Sequence, residues 1–285
     1  MKAGYVVERS CGMEMIEMEK NRALYLDCST GISGDMSVAA LLDLGADGEE
    51  LKDVLKGLPV EGYSVQIDKV ERNGQICHDF AVKLAEENHD HNMEYLYGYS
   101  REEYRHSGHS CRHSHGRPYR EIVSLLQNAD LPLGARKIAL KIFDILAEAE
   151  AKAHNVPKDD VHFHEAGAVD SIVDVVAAAF CLDNLQVEDA FIANMTEGVG
   201  TVRCQHGVLN IPVPAVRNIV ESYHLPMHQV NRPYELITPT GAAIAAALKK
   251  EKTIPNDFRI LRSGFGAGKR PYIPASVLRI DLIEY

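Results

Sequence analysis

The alternation of apolar and polar positions divides the chain into short elements of two kinds. Ala23 to Asp27 is a brief apolar run that reads as a strand ending in a glycine-containing turn. After Gly34, the residues Met36, Val38, Ala39, Leu41 and Leu42 recur at helical spacing up to Gly45, a C-cap signal. Leu51 to Leu58 predicts a second, shorter helix. The period then falls to two: Tyr63, Val65 and Ile67 alternate with polar residues, as do Phe80, Val82 and Leu84. Asn73-Gly74 lies between these runs, so they predict a hairpin.

Order resumes at Pro118 with helices over Tyr119 to Gln127 and about Leu133 to His154. The second carries Ile138, Ile142, Ile145, Leu146 and Ala149 on one stripe and stops before Pro157. Val161 to Glu165 reads as a strand, and Ser171 to Leu185 as an apolar helix opened by a capping-box-like Ser171 and Asp174. Short strands are expected near Phe191, Val199 and Leu209, followed by Pro-punctuated turns. A helix over about Gly241 to Lys249 and a strand over Val277 to Ile283 complete the pattern. Helices alternating with short strands predict a mixed α/β fold, a mixed sheet with flanking helices.

Two stretches stand outside this pattern. Residues 1–20 read as a polar extension, with the folded unit spanning 21–285. Residues 86–117 follow no core-forming period and hold six of the 13 histidines, so a long His-rich flexible insert is expected.

Composition narrows the classes. The 285 residues are 46% hydrophobic and 25% charged, enough apolar content for a sizeable core. A net charge of -11 argues against a broad nucleic-acid or anionic-membrane surface. Ile172 to Leu182, the best membrane candidate, is short and interrupted by Asp174, and no secretory signal is visible. The cysteines (11, 28, 77, 111, 181 and 204) form no C-x-x-C pair, which speaks against a zinc ribbon and points to a reducing, cytoplasmic compartment. Cys28 and Cys181 lie in apolar runs and read as buried thiols.

Four constellations carry candidate chemistry. Asp27, Ser29, Gly31, Ser33, Gly34 and Asp35 lie between a strand and a helix, where backbone N–H groups and the helix dipole favour an anion and the aspartates favour a cation. This is neither a P-loop nor G-x-G-x-x-G, and a capped turn, with Ser33 or Asp35 as cap, accounts for it equally well. His162 and His164, two apart on a strand, can face one ion, with Glu165, Asp170 and Asp174 close by. The run His89, His91, His106, His109, His113 and His115, with Cys111, suits weak capture of divalent transition metals or merely a solvated loop. Thr240-Gly241 before a helix, and Gly264 to Arg270 with Lys269, resemble phosphate loops only in composition. No nucleophilic hydrolase motif is present.

Taken in order, these segments resemble a known family. LYLDCSTGISGDM (24–36), VHFHEAGAVDSIVD (161–174), ELITPTGAA (235–243) and GFGAGKR (264–270) are similar to the signature blocks of LarC-type nickel-insertion proteins. IFDILAEAEAKAHNVP (142–157) and QHGVLNIPVPA (205–215) resemble that family too. The resemblance covers about residues 23 to 282. It implies a nickel chelatase or cyclometallase acting on pyridinium-3,5-bisthiocarboxylic acid mononucleotide. The product is the nickel-pincer cofactor delivered to a lactate racemase-type apoenzyme. The insertion uses CTP and is supported by manganese or magnesium. Asp27, Asp35, Glu165 and Asp170 are the implied catalytic groups. His162, His164 and Asp174 are the implied metal ligands, with His89, His91, His109, His113 and His115 as an auxiliary set. Gly31, Gly34, Thr240, Gly241, Lys269 and Arg270 are the implied cofactor contacts, the substrate phosphate falling on Lys269 and Arg270.

The resemblance implies that full-length members continue into a C-terminal nucleotide-binding domain, which the family can also encode separately; this chain stops at Tyr285. A homo-oligomer is expected. The main alternative is a non-catalytic nickel-storage or metallochaperone module built on 89–115, and a third reading is a manganese-dependent phosphohydrolase. Deleting 89–115 separates the first two: storage would vanish, insertion would survive.

Overall fold

The computed structural model describes residues 4–8 and 13–17 at the level of the backbone, and 21–85, 117–163, 168–187, 189–204, 207–270 and 272–285 in full. The expected mixed α/β fold is what is found. A six-stranded mixed sheet runs in the order β4 (Tyr63–Arg72), β5 (Gln75–Leu84), β13 (Arg259–Ala267), β14 (Val277–Glu284), β3 (Arg22–Asp27), β8 (Ala190–Ala193). β3 and β8 are parallel, and β14 is antiparallel to both β3 and β13. The predicted hairpin is β4–β5, turned by Asn73 and Gly74 at φ 51 and 77, the left-handed pair that suits a tight hairpin.

Helices cover one sheet face in two tiers. α1 (Gly34–Leu44) packs on β13, β5 and β14. Against it lie α5 (Val169–Asn184) and α7 (Pro239–Leu248), and outside them α4 (Leu133–His154) and α6 (Pro214–Ser222). α1, α5 and α7 are buried almost all round, which explains why their sequences show little amphipathic contrast. α2 (Gly48–Lys56) and α3 (Tyr119–Asn128) lie further out and are amphipathic. Among the described residues the other sheet face bears a small cluster of Ala23, Phe191 and Ile283 with Tyr25 and Tyr285, and Phe258 stacks on Tyr25.

Several local expectations need correction. The N-terminal extension contains a hairpin of its own, β1 (Gly4–Glu8) with β2 (Met13–Glu17), separate from the main sheet. Ser171 does not cap α5, which starts two residues earlier with Ala168 at the N-cap and no side-chain cap bond. The Pro-punctuated stretch after Leu209 includes a whole helix, α6, with Pro214 in its first turn. Gly264 and Gly266 do not form a phosphate loop; they lie within β13. A Cβ on Gly264 would fall 2.2 Å from Ala40 O, and one on Gly266 2.0 Å from Met36 O. These glycines let α1 lie close on the sheet.

The strand expected over Val161 to Glu165 is described as β7 (His162–Phe163), paired with β6 (Arg117–Pro118). His164, Glu165 and the whole run His89 to His115 lie outside the described residues. Cys28 and Cys181 are fully buried as expected, and burial pushes both thiols up.

Candidate functional site

The site lies at one end of the sheet, where β3 and β13 finish and α1, α5 and α7 begin. Binding at the carboxyl ends of strands is the general rule for open α/β sheets. Here the starts are locked together by backbone bonds. Ile32 N–H donates to Leu236 O (3.0 Å), and Thr238 N–H donates to Ile32 O (3.0 Å). Gly31 sits at φ 98 with Leu236 O where its Cβ would be, so no side chain is tolerated there. A Cβ on Gly34 would lie 2.7 Å from Asp174 Oδ2 and 3.1 Å from Thr240 Cγ2. The glycines of the first constellation thus bring three helix starts together; their close contacts are with protein atoms.

Within this junction Lys269 is surrounded by acid. Its Nζ is 3.1 Å from Asp35 Oδ2 and 3.1 Å from Asp79 Oδ1, and it also donates to Phe80 O. Burial alone would pull the ammonium down, but Asp35, Asp79 and Asp174 outweigh that and hold it above its ordinary value. Ser33 Oγ donates to Asp35 rather than capping α1. Asp174, from the second turn of α5, accepts the backbone N–H of Asp35 and so caps α1 from a neighbouring helix.

Asp174 is the exposed nerve of the cluster. Its Oδ1 is buried and has no hydrogen-bond partner. Burial, then the charges of Asp35 and Asp170, push its carboxyl well above the usual range, against the opposing pull of Lys269 and the Asp35 N–H. Asp35, Asp79 and Asp174 therefore face one ammonium, with Asp170 adding its charge beside Asp174. Among the described residues no group of three or more His, Cys, Asp or Glu stands ready to hold a metal ion, because Lys269 occupies the middle.

The structure separates other residues that the sequence grouped. Asp27 does not join Asp35: its Oδ2 is 3.1 Å from the Arg279 guanidinium, and its Oδ1 accepts Ser29 N–H at 3.1 Å. Arg270 is bound to Glu235 Oε2 (3.0 Å), Glu235 O (3.2 Å) and the Tyr272 hydroxyl (2.9 Å). Both cations expected to meet phosphate are thus already paired within the chain. Thr240 is buried in the first turn of α7, and Gly241 N–H donates to Thr238 Oγ1 at 3.1 Å, an ordinary N-cap. His162 is exposed on β7.

Two carboxylates had escaped notice. Asp79 sits inside a strand, where period two says which face it takes but not what that face meets. Glu197, in β9 (Met195–Glu197), is 0% exposed. Its Oε1 accepts Gly198 N–H (2.7 Å) and Leu236 N–H (2.8 Å), while Oε2 is buried without a partner. Burial pushes its carboxyl up to about 7, with Glu235 adding to the rise and the backbone N–H bonds opposing it. One signal was available: Glu197 is the sole charged residue between Ala190 and Val202.

What the fold and site define is an α/β protein that gathers carboxylates and helix N-termini round one buried lysine. The chain belongs to the nickel insertion protein family, whose model matches residues 24–284. It is 45% identical over 262 residues to a pyridinium-3,5-bisthiocarboxylic acid mononucleotide nickel insertion protein of Alkaliphilus metalliredigens, covering 92% of this chain and 60% of that one. Proteins of the same name from Akkermansia muciniphila (39% identical) and Geobacillus kaustophilus (38%) match with the same coverage, 92% and 60%. The chain thus spans about three-fifths of the length of these relatives. No solved structure matches it. Among the described residues no helix is long and apolar enough to cross a membrane.

Proposed function

We propose that this chain carries the nickel-handling site for metallation of pyridinium-3,5-bisthiocarboxylic acid mononucleotide, the compound in its relatives' names. The observation that carries the reading is the buried, unpartnered Oδ1 of Asp174 inside a cluster of four carboxylates and one ammonium. Forming a nickel–carbon bond on the ring replaces a ring hydrogen by nickel, so one proton must leave. A carboxylate beside the metal can take that proton once it is itself ionised. Asp174 is that group; Asp35, Asp79 and Asp170 balance the incoming charge. Nickel is substrate here, with His162, His164 and Glu165 as its delivery ligands and the run His89 to His115 as an auxiliary store.

Carboxylate oxygens are also what manganese and magnesium prefer, and either ion would bind there only by displacing the Lys269 ammonium from the centre of the cluster. CTP use, the C-terminal nucleotide-binding part and delivery to a lactate racemase-type apoenzyme belong to the whole protein, and we infer them for it from the resemblance. The acidic chain meets its substrate's phosphate at the helix starts once a cation has loosened Lys269 from Asp35.

The test is nickel transfer to the synthetic precursor, with CTP, in the full-length protein. Asp174→Asn keeps the shape and the Asp35 N–H bond but removes the proton acceptor. We expect insertion to fall roughly a hundredfold, as for loss of a group in direct contact with a metal centre. Insertion at the wild-type rate by folded Asp174→Asn would falsify the assignment.

A further inference from the structure

Two tyrosines stack at the rim of the junction. Tyr234 lies between β12 (Met227–Gln229) and α7, and Tyr272 between β13 and β14. Their ring centroids are 3.8 Å apart and their planes 8° apart. Tyr25 and Phe258 also stack, but more loosely, at 5.6 Å and 26°, while Tyr119–Phe163 (79°) and Phe191–Tyr285 (79°) meet edge-on.

The stack is held by its rims. The Tyr272 hydroxyl donates to Glu235 O (3.0 Å) and accepts from Arg270 (2.9 Å), and the Tyr234 hydroxyl donates to Ile273 O (3.3 Å). Both rings stay half-buried, next to an Ile273 that is 88% exposed. Chain connectivity ties them to the carboxylate cluster: Tyr234 precedes Leu236, which bonds Ile32, and Tyr272 follows Arg270, the neighbour of Lys269.

We propose that the face of Tyr234 turned away from Tyr272 is the stacking platform for the pyridinium ring of the mononucleotide. An electron-rich phenol face attracts a flat aromatic cation both by stacking and by its quadrupole. Tyr272 is the less suitable face, since the Arg270 guanidinium carbon already lies 5.9 Å from its ring centroid. The assignment rests on the function proposed above, which requires the ring and nickel to meet. It adds where the ring is held.

The probe is nicotinic acid mononucleotide, a pyridinium mononucleotide without the two sulfur donors. Bound to the wild-type protein, its ring protons should shift upfield in proton NMR from the tyrosine ring current. Tyr234→Leu should abolish that shift and weaken binding by calorimetry roughly tenfold, whereas Tyr234→Phe should bind within about twofold of wild type. The reduced probe, with an uncharged dihydropyridine ring, should bind more weakly than the oxidised one. Absence of an upfield shift in wild type, or unaltered affinity in folded Tyr234→Leu, overturns the platform. Equal affinity for the two probes overturns its cation-selective part. Nickel titration of Tyr234→Leu should match wild type, so a failed platform leaves the carboxylate reading standing. Conversely, an Asp174→Asn protein that inserts nickel normally yet keeps the ring shift removes only the nickel assignment.

Discussion

The chain contains two clusters of lysine and carboxylate that look alike on paper and behave in opposite ways. Near α4, Lys158 Nζ lies 2.7 Å from Asp144 Oδ1 and 3.4 Å from Glu148 Oε1, and the Tyr119 hydroxyl donates to Asp144 at 2.7 Å. Burial pushes the Asp144 carboxyl up, but the bonds from Lys158 and Tyr119 outweigh it and leave it below the ordinary range. Every charge there has a partner and some access to water. At the junction of α1 and α5, Lys269 faces more carboxylates than it can neutralise, and Asp174 is raised rather than lowered. The first cluster braces the Lys158–Asp160 turn against α4. The second stores an unmet demand for positive charge. Burial and stoichiometry, not residue type, separate a brace from a site.

Glu197 sharpens the rule, since it is buried with no cation of its own. Its folded carboxyl titrates near 7 against an ordinary 4.5. A raised carboxyl contributes stability that is complete below the unfolded value and is lost as pH climbs to the folded one. Wild type should therefore lose on the order of 3 kcal/mol relative to Glu197→Gln between about pH 4.5 and 7, then run parallel to it. Denaturant titrations of both proteins across that window check this; parallel profiles throughout would mean that folding leaves the Glu197 carboxyl at its unfolded value.

The next test can break the comparison outright. At neutral pH Asp174→Asn should gain roughly 1–2 kcal/mol, because it removes an uncompensated buried charge, and the gain should disappear in acid. Asp144→Asn should instead lose about 1 kcal/mol, with that loss shrinking as acid protonates the wild-type carboxylate. Thermal melts at neutral and acid pH read both signs. If the two variants shift in the same direction, the clusters are not different in kind.

The smallest effect is expected from Lys158→Met. This half-exposed pair is screened by solvent, so the change should cost about 0.5–1 kcal/mol and leave nickel insertion unaltered. A larger loss, or any loss of insertion in folded protein, would show that the brace reaches the site through the His162–Phe163 strand.

Much of the local structure was legible in order of residues. The β4–β5 hairpin followed from Asn73-Gly74 between two alternating runs, and α4 from one apolar stripe ended before Pro157. α6 was missed because its proline was read as a breaker when it stood in the first turn, where a missing N–H costs nothing. Gly264 and Gly266 were read as part of a loop because glycine spacing looks the same whether the backbone approaches a phosphate or a helix. Of the site, Asp35, Asp170, Asp174 and Lys269 were named beforehand, but as members of different constellations. Asp79 and Glu197 were not named at all.

By itself the sequence determined the kinds of element, the burial of Cys28 and Cys181, and a family whose blocks stand in a fixed order. Each of these depends on neighbours in the chain or on apolar content, which the order of residues records directly. The tertiary structure alone decided which charges meet. Asp35 and Lys269 are 234 residues apart, and Glu197 and Leu236 are 39 apart. Their pairing is fixed by where α1, α5 and α7 start against the sheet, and their pKa shifts by the water that this packing excludes. Position in the chain encodes neither quantity.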